Sequence, residues 1–125
     1  MRKLFMMLFA LTATLLMSFT TPDEKLSVDT GASELKWTGF HLAKSYSHWG
    51  LINLKSGSIS TDGEKITGGE FVIDMNTLSN KDLEKETDNA KLVGHLKSDD
   101  FFGVAKFPEA KLVIKKTEKK SGNTY

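Results

Sequence analysis

The chain of 125 residues contains no cysteine. That excludes disulfides, a lipoprotein anchor, a thiolate nucleophile and any cysteine-ligated metal site. Stability must come from a packed core and from hydrogen-bonded ladders. Charge of one sign is also missing: 17 Lys and Arg stand against 16 Asp and Glu, a formal net charge of +1. Without Arg2 and Lys3 the balance is 15 against 16, or −1. Such a chain offers no electrostatic basis for holding nucleic acid or an anionic membrane surface. A long hydrophobic run is lacking too. The apolar stretch over residues 4–17 falls short of the roughly 20 residues that span a bilayer as a helix. Hydrophobic residues at 39% and charged residues at 26% are nonetheless ordinary for a globular protein. The length suits one domain.

The first twenty residues have the form of a secretory signal. Arg2 and Lys3 make a charged start, residues 4–17 are apolar except for Thr12 and Thr14, and Ser18-Phe19-Thr20 supplies small residues for a cut after Thr20. Pro22, Asp23, Glu24 and Lys25 then look like a solvated mature terminus. Export to the periplasm or beyond is the expectation, with no membrane span left after cleavage.

Beyond this polar leader the apolar residues follow a period of two, the mark of strands. Leu35, Trp37 and Gly39 share one parity; Gly50, Ile52, Leu54 and Ser58 alternate with Leu51, Asn53, Lys55 and Ile59. Phe71, Ile73 and Met75 alternate with Glu70, Val72 and Asp74, and Ala110, Leu112 and Ile114 with Lys111, Val113 and Lys115. Thr61-Asp62-Gly63-Glu64-Lys65 predicts a hairpin, since Asp-Gly readily takes positive φ. Gly68-Gly69 and Ser56-Gly57-Ser58 predict a bulge or close backbone approach, which favours a curved sheet.

Residues 81–97 change character, with Lys, Glu, Asp and Leu in helical spacing and Leu92, Val93 and Leu96 continuing an apolar stripe. A helix is expected there, capped by Ser79 or Asn80 and interrupted or ended near Gly94. A compact apolar loop follows at Phe101-Phe102-Gly103-Val104. The chain stops two residues after the turn-like Ser121-Gly122-Asn123. Four strands and a helix cannot close a small barrel, which takes about eight strands. The reading is a C-terminally truncated domain over residues 21–125.

One stretch carries more than pattern: Gly94-His95-Leu96-Lys97-Ser98-Asp99-Asp100-Phe101-Phe102-Gly103-Val104-Ala105-Lys106-Phe107-Pro108. It closely resembles the signature of the YceI-like family of exported lipid-binding proteins. The likeness extends through Leu35-Lys36-Trp37-Thr38-Gly39, His48, Lys55-Ser56-Gly57 and the run from Thr67 to Met75. The resemblance implies an antiparallel lipocalin-like β-barrel, incomplete here, with one helix between strands. It further implies a lumen for a polyisoprenoid or similar amphiphile, and often a homodimer. The expected ligand-facing residues are then Trp37, Ile52, Leu54, Phe71, Ile73, Met75, Leu112 and Ile114, together with Phe101 and Phe102.

Chemistry finds little purchase. His41, His48 and His95 show no ligand-pair spacing, so no metal is expected. His95, Ser98 and Asp99 suggest a nucleophile on paper, yet Ser and Asp beside a helix end more simply tie down a turn. No catalytic residue and no cofactor beyond a bound lipid is expected. Period two cannot say whether the inward face is packed or open. The alternative to a carrier is therefore a solid barrel with a structural or stress-related role, acting through its surface.

Overall fold

The computed structural model describes residues 22–43, 45–122 and 124. The expected signal peptide lies outside the described residues. The fold is mostly β, a curled antiparallel half-barrel with one α-helix, as expected.

Five strands build the sheet: β1 (Glu24–Ser27), β2 (Leu35–Phe40), β3 (Ser47–Thr61), β4 (Ile66–Asp74) and β5 (Glu109–Ile114). β3 is the spine. One side of it pairs with β2 near its start, Trp37 opposite Gly50, and with β1 near its end, Leu26 opposite Ile59. The other side pairs with β4, which carries β5 as the outer strand. The β3–β4 hairpin turns where the sequence places it. Gly63 takes φ +91°, and the Asp62 carboxylate accepts from the Glu64 and Lys65 N–H groups at 3.0 and 2.9 Å. Those backbone donors hold the Asp62 carboxyl below its usual range.

The structure adds one strand and corrects one parity. The leader expected to be solvated supplies β1: its side chains are exposed, and its backbone completes the sheet beside the end of β3. In β3, Leu54 lies opposite Ile73 while Ser56 lies opposite Val72, so Lys55 is an extra residue, a bulge. A one-residue insertion exchanges the faces of everything after it. Gly57 and Ile59, rather than Ser58, therefore continue the face of Leu54.

The helix α1 (Glu86–Lys97) begins later than expected and runs through Gly94 without a break. Asn80 does not cap it. Its side chain accepts from the Leu83 N–H at 3.0 Å and donates to the Trp49 carbonyl at 3.0 Å, holding the preceding loop against β3. Asn89, inside the helix, donates to the carbonyls of Asn80 and Leu83, both at 3.1 Å. At the other end the Ser98 hydroxyl donates to the His95 carbonyl at 2.6 Å. Acidic Glu86 and Asp88 near the start and Lys97 near the end suit the helix dipole.

The core lies where the helix meets the sheet. Ile52, Met75, Leu78 and Val104 are buried, with Leu35, Trp37, Ile73, Val93, Leu96 and Ala110 packed around them. Met75 opens a 3-10 turn (Met75–Thr77) whose entry is capped by the Asp74 carboxylate, accepting from the Asn76 N–H at 3.1 Å. Among the described residues no helix is long and apolar enough to cross a membrane.

Candidate functional site

Two apolar basins flank this small core. The first lies under α1 and the loop that follows. A cavity of about 340 Å³ is lined by Trp37 and Ile52 from the sheet, Met75 and Leu78 beyond β4, and Leu96, Phe101 and Phe102. A second cavity of about 210 Å³ shares Trp37, Gly39, Leu96 and Phe101 with it and runs outward to Phe40, His41, Tyr46 and His48. Together they form one trough with an apolar floor and a polar mouth. At that mouth the His41 and Tyr46 rings stack at 4.8 Å, and Tyr46 meets His48 edge-on at 5.7 Å.

The other basin, about 240 Å³, lies on the open half of the sheet among Leu35, Leu54, Phe71, Ile73 and Leu112. Leu35 and Ile73 also touch the core, so the core forms the ridge between the basins.

Polar contacts fix the covered side. The Trp37 indole N–H donates to the Ser79 carbonyl at 2.8 Å, and the Ser79 N–H donates to the Leu51 carbonyl at 2.9 Å. This clasp closes only because residue 50 has no side chain: a Cβ on Gly50 would sit 1.7 Å from the Ser79 oxygen. Asp82 is the second anchor. One carboxylate oxygen lies 2.7 Å from His48 Nδ1, and the other accepts from the Trp49 N–H at 2.9 Å and the Asn80 amide at 2.6 Å. Partial burial pushes this carboxyl up, but the bonds from His48, Trp49 and Asn80 together bring it down to about 2. The sheet end of the trough is thereby held by charge-assisted bonds.

The ten residues expected to face a ligand fall into three groups. Trp37, Ile52, Met75, Phe101 and Phe102 line the covered trough, whereas Leu54, Phe71, Ile73 and Leu112 line the open basin. Ile114 lines neither. It sits beside Gly69, opposite it in the β4–β5 ladder. Sequence reading passed over Leu78, Leu35 and Tyr46 as wall residues. Leu96 was visible only as part of the helical stripe. Phe101 and Phe102 are 57% and 49% exposed, so they edge the trough and do not plug the core.

The turn after α1 is tied locally. His95 Nε2 lies 3.3 Å from Asp100, the Ser98 hydroxyl bonds the His95 carbonyl and not its ring, and Asp99 pairs with Lys106 at 2.7 Å. His95, Ser98 and Asp99 are not brought together as a nucleophile, base and orienting acid would need. Among the described residues no cluster of three His, Asp or Glu side chains could hold a metal.

Comparison with known proteins places this geometry. The YceI-like domain model matches residues 26–124. A UPF0312 protein of Shewanella denitrificans is 34% identical over 105 residues, covering 82% of this chain and 52% of the relative. The chain thus spans about half the length of the curated relative it matches. No solved structure matches. A family model that covers nearly the whole strand-and-helix region, in agreement with the curled sheet and its crossing helix, shows that the chain belongs to the YceI-like family.

Proposed function

We propose that this domain is a carrier, not a catalyst: it holds an apolar, isoprenoid-like chain along the concave face of the sheet and acts outside the cytoplasm. The observation that carries the reading is the trough under α1. Its two cavities join through Trp37, Leu96 and Phe101, its walls are almost wholly apolar, and the two phenylalanines at its edge are half exposed. An apolar chain laid there gains about 25 cal/mol for each Å² taken from water. A polyprenyl tail therefore needs few polar contacts to bind, and the polar mouth at His41, Tyr46 and His48 leaves room for a more hydrophilic end. The signal-like leader supports the exported setting.

Native mass spectrometry of the full chain, purified after expression with export, tests this reading. The expected result is a bound mass in the isoprenoid range, lost on denaturation and restored by incubation with a polyprenol. An apo mass that stays unchanged with polyprenol would replace the carrier by a barrel acting through its surface.

A further inference from the structure

At the mouth of the trough one ring is held more firmly than an apolar chain requires. His48 stands opposite Gly39 in the β2–β3 ladder and shares the face of Gly50 and Ile52. Gly39 lines both cavities of the trough, so no side chain of β2 stands between their junction and the His48 ring. Two contacts fix that ring. Its Nδ1 lies 2.7 Å from Asp82, whose carboxylate is itself held by the Trp49 N–H and the buried Asn80 amide. Tyr46 meets the ring edge-on at 5.7 Å and is stacked in turn on His41. An ionised carboxylate only accepts, so Nδ1 carries the proton. In the neutral ring Nε2 then holds a lone pair. The two nitrogens point to different sides of an imidazole, which leaves Nε2 for a partner in the cavity that His48 lines. Among the described residues it has none.

We propose that His48 Nε2 accepts a hydrogen bond from a hydroxyl at the head of the bound chain, so that the site selects an isoprenoid alcohol. The head contact rests on the carrier reading, since it needs a chain in the trough behind it. Asp82 is the positioning residue: it sets the tautomer and turns the lone pair away from itself. The chemistry of the mouth separates a hydroxyl from other heads. A carbonyl or ether oxygen has no proton to donate to this nitrogen. A phosphate would meet the Asp82 carboxylate against the same ring, a group whose pKa is held down at about 2 and which stays charged at any ordinary pH. A hydroxyl donates one proton and brings no charge.

Binding of a polyprenol, its methyl ether and its monophosphate to the full chain tests the contact, at about pH 8.5, where an imidazole is ordinarily neutral. The alcohol should bind about fivefold more tightly than the ether, the effect of one hydrogen bond. The phosphate should bind no better than the ether. His48→Asn keeps an amide nitrogen near the place of Nδ1, within reach of Asp82, and removes Nε2. It should erase the advantage of the alcohol and leave binding of the ether as it was. The wild type gives a second readout that needs no variant. Its His48 ring should show the nitrogen-15 resonances of the Nδ1–H tautomer, and Nε2 should shift when the alcohol is added but not when the ether is. Equal binding of alcohol and ether overturns the proposal and keeps the carrier. So does a preference that survives His48→Asn, a phosphate that binds most tightly, or a proton found on Nε2 in the neutral ring. If none of the probes binds, the carrier reading falls and the head contact falls with it.

Discussion

The half of the sheet beneath α1 and the half beyond the Lys55 bulge share the strands β3 and β4 but are finished differently. Under the helix lie Gly50, Ile52, Met75, Leu78, Asn80, Gly103 and Val104, and among the described residues these are the buried ones. Backbone clasps and the Asp82 node hold this half together. From the bulge outward the apolar residues are just as regular, with Leu54 and Ile73 at its near side and Phe71 and Leu112 beyond it on one face, yet none is buried. Helix and loop cover the first set, and no element of the described chain covers the second. Apolar side chains left uncovered on a regular face point to contact with something else, since soluble surfaces seldom keep such patches idle. Stability should therefore reside in the first half and binding capacity extend into the second.

That division can be broken by substitution, with the largest effect expected at Gly50. A methyl group there meets the Ser79 backbone and the Trp37 indole at once, and backbone cannot swing aside. Gly50→Ala should cost about 3 kcal/mol in a denaturant titration of the full chain. A loss below about 1 kcal/mol would mean that the clasp is not a fixed part of the fold.

Asp82→Ala comes next. It strips partners from the Trp49 N–H and the Asn80 amide and should cost about 2 kcal/mol. The same carboxylate sets a pH dependence. Its folded pKa, about 2, lies below the ordinary 3.8. Its stabilisation is therefore complete above that ordinary value and is lost as pH falls towards 2. With a side chain 22% exposed, the share at stake is about 1 to 2 kcal/mol. Equal acid sensitivity in wild type and Asp82→Ala between pH 5 and pH 2 would remove Asp82 as the anchor.

How much of this was open to sequence reading follows the same division. Strands β2 to β5 and the hairpin at Asp62-Gly63 could be read because period two and positive φ are local properties. β1 could not. Glu24, Lys25 and Ser27 carry no apolar signal, and only pairing with the end of β3 makes them a strand. The Lys55 bulge exchanged the expected faces of Ser58 and Ile59, because one inserted residue leaves no mark on the alternation before it. The helix start moved because Ser79 and Asn80, the expected caps, are engaged instead by the Leu51 and Trp49 carbonyls of β3. Half of the expected wall residues met under the helix. Leu54, Phe71, Ile73 and Leu112 share their parity but line the basin on the other side of the core, a separation that periodicity does not encode, and Ile114 lines neither.

The smallest stability effect should fall on the open half, and it is the most informative. Leu112 is 55% exposed, so Leu112→Ala forgoes little burial and should cost less than about 0.5 kcal/mol, against the 2–5 kcal/mol usual for a buried leucine. Its removal still takes a wall from the open basin. If an apolar chain reaches that basin, losing about 40 Å² of contact should weaken polyprenol retention by about 1 kcal/mol, or about fivefold. A variant that keeps its stability and loses retention would place part of the ligand beyond the bulge. Unchanged retention would confine the ligand to the trough under α1, where Phe101→Ala should weaken it instead. Loss of stability and retention in equal measure would erase the division, because Leu112 would then be serving the fold.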